Sequence, residues 1–165
     1  MHVKNITVPV TLCDYAELPE VDRQLVDAAK AATANSYAPY SKFHVGAAIL
    51  LDNGVTVSGA NQENAAFSSG TCAERSACFW ASANYPGVPF KKIAIAAWTR
   101  LHHKESDPND QCFQQKPISP CGSCRQALME YENLYGDIEV ILYGMGQVAI
   151  LPNIKSLLPL TFVEF

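Results

Sequence analysis

Apolar positions along this 165-residue chain fall into two alternating periods. In "PEVDRQLVDAAKAATANSY", Val21, Leu25, Ala28, Ala29 and Ala32 recur at helical spacing and share a face, with Pro19 and Glu20 suited to its start. "FHVGAAILLDNGVTVSGAN" reads as two apolar and β-branched runs joined at Asp52-Asn53-Gly54, a hairpin signal. "TCAERSACFWASANY" is a second helix and "KKIAIAAW" a nearly continuous apolar run, hence a buried strand. "PCGSCRQALMEYENLYG" is a third helix with Gly136 near its end. "DIEVILYG" and "QVAIL" are strands around the Met145-Gly146 turn, and "NIKSLLPLTF" closes the chain as a short helix and a tail. Five strands interleaved with helices predict an α/β protein, a three-layer α/β/α sandwich with a five-stranded mixed sheet. The expectation is one domain over residues 1–165, with an extended arm over 1–19 and a long polar loop over 99–118, a length uncommon in compact domains.

Composition narrows the function. At 48% hydrophobic content the chain can bury a sizeable core. A net charge of -4 and a pI of about 5.5 make an acidic surface, a poor match for phosphate backbones, so no nucleic-acid partner is expected. No window reaches the eighteen or so apolar residues of a membrane span, and no long apolar run follows Lys4 as in a signal peptide. The expected location is therefore the cytoplasm, with no membrane partner. Six cysteines there point to metal ligands, reactive groups or core residues rather than disulfides. Cys78 lies six residues after Cys72, about 240° around a helix, and reads as a core residue. Cys13 and Cys112 sit in poorly patterned segments.

The remaining three cysteines carry a chemical pattern. "TCAERSA" sets Cys72 two residues before Glu74, and "SPCGSCRQ" supplies Cys121 and Cys124. Thiolates are soft ligands that select zinc over calcium or magnesium. Cys121 and Cys124 are three apart and project the same way from a helix. Both motifs fall at predicted helix N-termini, where free N–H groups and the dipole favour thiolate. Three protein ligands leave one tetrahedral position for water, the arrangement of a catalytic zinc, and zinc makes hydroxide available near neutral pH. Three thiolates blunt that Lewis acidity, so Arg75 and Arg125, each directly after a motif residue, are candidates to hydrogen-bond the sulfurs. The competing reading is a four-ligand structural site completed by His44, His102 or His103, none of which shows a ligand spacing to a cysteine.

These residues resemble the zinc-dependent cytidine deaminase family in its small three-cysteine class. "YAPYSKFHVGAAIL", "GANQENAAF", "TCAERSA", "ISPCGSCRQ" and "LLPLTF" stand in the family's order across residues 37–162. The resemblance implies hydrolytic deamination of cytidine and deoxycytidine to uridine and deoxyuridine with ammonia release, in pyrimidine salvage. It implies one Zn2+ per chain on Cys72, Cys121 and Cys124, with Glu74 as the catalytic proton shuttle beside zinc-bound hydroxide. It assigns Asn61 and Glu63 to the ribose hydroxyl, Phe43 to stacking near the pyrimidine, and backbone around Ala73 to the base. It also implies a homotetramer in which Phe162 enters a neighbouring chain's site.

The residues alone leave alternatives open. Asn61, Glu63 and Asn64 also suit a polar turn after a strand, and Phe43 suits the core, where Phe67 is placed. The stretch over 99–118 is longer than the family usually has before its P-C-x-x-C, and His44 carries no assigned role. A zinc-stabilised binding module would not need Glu74. A polynucleotide deaminase would suit a basic, aromatic-rich stretch and H-x-E in place of C-x-E. A related antibiotic-nucleoside deaminase differs only in pocket shape.

Overall fold

The computed structural model describes residues 1–99 and 113–163. His102, His103 and Cys112, and with them most of the predicted 99–118 loop, lie outside the described residues.

Among the described residues, three α-helices and one sheet account for the framework: α1 (Glu20–Ala32), α2 (Ala73–Asn84) and α3 (Gly122–Tyr135), with β1 (Thr11–Cys13), β2 (Phe43–Leu51), β3 (Thr56–Ala60), β4 (Phe90–Thr99), β5 (Glu139–Leu142) and β6 (Val148–Leu151). The strand order is β1-β6-β5-β4-β2-β3. Among the described strands only β4 and β5 pair in parallel, and α3 lies between them in the chain as their crossover connection. The sheet is therefore mixed, as expected, but has six strands rather than five. The sixth comes from the arm, where Thr11–Cys13 pairs antiparallel with β6. Three residues are too few to show a period of two, so the sequence pattern left them unread.

The sheet separates two cores. Ala47, Ile49, Ile93 and Ile95 face α2 and α3, packing with Ala77, Leu128 and Met129. Ala48, Ala94 and Ala96 face the other way, onto Leu25, Val26 and Ala29 of α1. Alternation along β2 and β4 thus buries both faces, which is why β4 reads as a continuous apolar run. Cys78 is fully buried in the first core, as expected. The predicted face of α1 needs one correction. Val21 is 52% exposed, and the neighbouring Asp22 is buried instead. Asp22 Oδ1 accepts a 2.6 Å hydrogen bond from Lys92 Nζ, which also meets Glu139 at 2.8 Å, so an ion-paired carboxylate displaces the apolar residue from the first turn.

The hairpin forms where expected. Gly54 takes φ 83°, and Leu51 and Val55 close the turn by an N–H to carbonyl bond of 2.9 Å. Gly59 has a different purpose: a Cβ there would lie 2.5 Å from Ala77 N. α2 therefore sits directly against β3, and this close approach places the helix start that carries Cys72. Among the described residues no helix is long and apolar enough to cross a membrane.

Candidate metal and substrate site

Cys72 and Cys121 occupy equivalent places, each the residue immediately before a helix, with Cys124 in the first turn of α3. The two helix starts meet. Cys72 and Cys121 sulfurs are 3.8 Å apart, Cys121 and Cys124 sulfurs 3.5 Å, and all three lie within 4.8 Å of one another. No other such group of ligand residues occurs among the described residues. The cysteines differ in exposure: Cys124 is buried, Cys72 half-buried and Cys121 exposed.

The donor set fits a soft divalent cation. Hydrogen bonding from the Cys124 thiol, then from Arg75 and Cys121, pulls the Cys72 thiol down to about 5, while bonding to Cys72 and burial push Cys124 up. Cys72 thus favours the thiolate, and Cys124 beside it resists becoming a second one. A cation among the sulfurs removes that conflict, because a coordinating thiol is deprotonated outright. Arg75 Nη2 stands 4.0 Å from Cys72 Sγ, in the place expected of it. Its Nε is buried without a hydrogen-bond partner among the described residues. Arg125 does not follow the expectation. Its bonds run to Pro120 O, Ser119 Oγ and Leu157 O, so its guanidinium is engaged with backbone and hydroxyl rather than sulfur.

Glu74 follows Cys72 into α2 and is only 5% exposed. Burial, with a smaller push from the Cys72 sulfur, raises its carboxyl above the ordinary range, partly offset by the neighbouring Cys124 thiol. The acid therefore lies beside the sulfur trio, away from bulk water.

A cleft of about 430 Å3 opens at Cys72 and Arg75 and runs past Asn61 and Glu63. Asn61 is locked from three sides. Its Oδ1 accepts from Val45 N–H at 2.8 Å and Ser36 Oγ at 2.6 Å, and its Nδ2 donates to Phe43 O at 2.9 Å. Glu63 Oε2 accepts from the N–H groups of Tyr40 and Ser41 at 2.8 and 3.2 Å. The Ser41 side chain, with these N–H groups, holds the Glu63 carboxyl below the ordinary range. The turn orients both groups beside the cleft. Lys42 supports the turn with φ 57°.

Other predicted residues are placed less directly. Phe43 is half-buried at the start of β2, and Ala73 is fully buried at the first position of α2. Neither lines the cleft. Phe67, expected in the core, is 99% exposed and lines the cleft's rim. It belongs to a short turn, Phe67–Ser69, between elements, so no helical or strand face carries it inward. His44 stacks on Trp98 with centroids 4.1 Å apart. Phe162 is 62% exposed, and its carbonyl accepts from Gln126 Nε2 at 2.8 Å. Ser36 and the backbone of Tyr40 were not legible as site residues, because hydrogen bonds across more than twenty residues leave no local pattern.

Comparison with known proteins gives one consistent answer. The model of the cytidine and deoxycytidylate deaminase zinc-binding region matches residues 19–136. The chain is similar to a cytidine deaminase of Sporosarcina psychrophila, 40% identical over 126 residues, covering 70% of this chain and 80% of that protein. A cytidine deaminase of Halalkalibacterium halodurans is 37% identical over 131 residues, covering 73% and 87%. Among solved structures, the cytidine deaminase of Burkholderia pseudomallei superposes with a TM-score of 0.68 at 38% identity, covering 84% of this chain and 97% of that one. That of Mycobacterium tuberculosis gives 0.63 at 28% identity, covering 86% and 96%.

Proposed function

The chain belongs to the cytidine and deoxycytidylate deaminase zinc-binding family, and from that premise we propose which of its residues carry the chemistry. It is a zinc-dependent hydrolytic deaminase acting on cytidine and deoxycytidine to give uridine or deoxyuridine and ammonia, with one zinc per chain. The observation that carries the residue assignment is the meeting of three sulfurs at two helix starts with buried Glu74 against them.

Cys72, Cys121 and Cys124 hold the zinc, which when bound supplies a Lewis acid that makes water a nucleophile near neutral pH. Arg75 withdraws charge from the Cys72 sulfur. Glu74 moves the protons. Deamination breaks the C4–N bond of cytosine and forms a C4–O bond, with water consumed. Glu74 accepts a proton from the attacking water and delivers it to N3, then carries the new hydroxyl's proton to the departing amine. Burial favours the protonated acid, which suits a group that must retain a proton between transfers.

Asn61 and Glu63 recognise the sugar. The bonds that fix Asn61 leave one N–H of its amide available, and Glu63 is an acceptor. A hydroxyl that accepts from one and donates to the other satisfies both, and a ribose provides it. Phe43, whose carbonyl holds the Asn61 amide, and the backbone of Ala73, next to Cys72, stand just outside the cleft lining, and the family resemblance assigns them to the pyrimidine. The sheet and its helices act as one catalytic domain over residues 1–165. The chains assemble as a homotetramer in which Phe162 reaches a neighbour's site. A reducing compartment keeps the thiols available, so the enzyme works in the cytoplasm.

The test is ammonia release by zinc-loaded protein from cytidine, deoxycytidine, cytosine, CMP, adenosine, guanine and an aminopyrimidine nucleoside antibiotic. Turnover of cytidine and deoxycytidine, with little from cytosine or the purines, is expected. Preference for the antibiotic or for a purine would overturn the substrate assignment.

A further inference from the structure

Cys121 is the exposed member of the sulfur trio. Cys124 is buried in the first turn of α3, and Cys72 leads into α2, whose Ala73 and Ala77 lie against Gly59 of β3. Cys121 depends on the backbone that leads into it and on whatever fixes that lead-in. The lead-in is anchored upstream by N–H to carbonyl bonds from Gln114 to Ala97, from Met145 to Gln114 and from Gly146 to Gln115. Cys121 O accepts the Arg125 N–H at 3.0 Å, and the residues just before Cys121 are held by the Arg125 side chain. Arg125 folds back over the start of α3, its Nε donating to Pro120 O at 2.8 Å and its Nη2 to Ser119 Oγ at 2.8 Å.

The same guanidinium reaches a third segment. Its Nη1 donates to Leu157 O at 2.7 Å, at the end of the 3-10 turn Ile154–Leu157. The other end of that turn belongs to Glu132. Its buried carboxylate accepts from Ile154 N–H at 2.6 Å, Lys155 N–H at 3.0 Å and Ile138 N–H at 3.0 Å. Arg125 and Glu132 are seven residues apart on α3, two helical turns, and so share a face. A short helical turn has free N–H groups at its start and free carbonyls at its end. α3 offers a carboxylate to the first and a guanidinium to the second, so the turn is held at both ends by charge-assisted bonds.

We propose that Arg125 is a positioning residue that ties the Cys121 ligand to the C-terminal turn, so that docking of the turn and retention of zinc are coupled. The inference rests on Cys121 being a zinc ligand. Losing the Arg125 bridge frees Ser119 and Pro120, and the exposed sulfur loses its fixed direction. Loosening the turn from the Glu132 end weakens the Leu157 bond and acts on Cys121 through Arg125. Coupling is reciprocal, so zinc in turn protects the backbone of Ile154–Leu157.

The experiment follows two readouts on zinc-loaded protein. One is the rate of zinc transfer to a chelating dye, and the other is hydrogen exchange at the amides of Ile154 and Lys155, with β4 amides as the control for global stability. Zinc content of the parent is measured first. Outer partners of metal ligands typically change metal affinity 10–100-fold, so Arg125→Ala should speed zinc loss on the order of 10-fold. It should also raise exchange in the turn while β4 amides stay protected. Arg125→Lys restores one charged donor without the fork, and should fall between parent and alanine. Glu132→Gln touches no residue next to the sulfurs, yet should speed both exchange and zinc loss. Removing zinc from the parent should raise exchange at Ile154 and Lys155.

A parent holding no zinc would overturn the ligand assignment and this proposal together. With zinc present, parental zinc loss in a folded Arg125→Ala protein overturns the coupling alone. If that variant fails to fold, Glu132→Gln decides: faster exchange in the turn with unchanged zinc loss sinks the proposal. If neither folds, the zinc-stripped parent decides, and unchanged exchange at Ile154 and Lys155 sinks it.

Discussion

Glu63 Oε2 accepts the backbone N–H of Tyr40 at 2.8 Å across a separation of 23 residues. The bond joins the segment before β2 to the segment after β3, and it fixes the carboxylate at the cleft before any substrate arrives. A site built around a hydroxyl rejects an analogue that lacks it, because its polar groups are left unpaired. Free cytosine should therefore be turned over at least ~10-fold less efficiently than cytidine by kcat/KM. Glu63→Ala should narrow that gap, mostly through KM for cytidine. Equal efficiency on both substrates in the parent would remove Asn61 and Glu63 from sugar recognition.

The two motifs that carry this chemistry were legible because each has a fixed local spacing and opens a helix, so chemistry and secondary structure agree in the same few residues. Cys72 and Cys121 at the starts of α2 and α3 follow from that agreement. Asp22 was not legible, because its burial depends on Lys92, seventy residues away on β4. β1 was missed because its evidence lies in a partner strand, β6, at the other end of the chain. Arg125 was placed on the sulfurs by adjacency, but a helical side chain is aimed by its rotamer and its acceptors. The acceptors here are Pro120, Ser119 and Leu157.

Zinc removal tests the ligand set directly. Elemental analysis should find one zinc per chain. A Cys121→Ser/Cys124→Ser double variant loses two of three thiolates and should lose the metal and all turnover with it. Zinc retained at full stoichiometry in that variant would require ligands elsewhere in the chain.

Glu74→Gln separates proton transfer from metal binding. Glutamine keeps the shape of the side chain but moves no proton between water, N3 and amine. General acid–base transfer typically contributes ~10²–10⁴-fold, and one carboxylate serving several steps should cost at least that in kcat. Zinc content should equal the parent's. Near-parental turnover would rule out Glu74 as the proton carrier.

Gly59 predicts the cost of moving α2. A Cβ at this position would meet backbone atoms of Ala73 and Ala77 at 2.5–3.0 Å, and backbone cannot turn aside as a flexible side chain does. Gly59→Val should destabilise by about 1–3 kcal/mol or more through overpacking, read as a lower urea midpoint. Because α2 carries Cys72 at its start, zinc loss to a chelator should accelerate in the same protein. An unchanged midpoint would show that the helix can move away from β3 at no cost.

The tail makes the last prediction, on assembly. "LLPLTF" is apolar, yet Leu160 is 85% exposed and Phe162 62% exposed in the single chain. Gln126 holds the Phe162 carbonyl at 2.8 Å, so backbone docks on α3 while the residue as a whole remains largely exposed. An exposed apolar segment marks an interaction surface, and a second copy of the chain is the partner that the tetramer proposal supplies. Truncation after Pro159 removes Leu160 and Phe162 but leaves Leu157 on Arg125 and the Ile154–Leu157 turn on Glu132. The truncated protein should therefore keep its zinc while losing both mass by light scattering and cytidine turnover. A parent that is monomeric at full activity, or a truncated chain as active as the parent, would defeat the idea that one chain completes another's site.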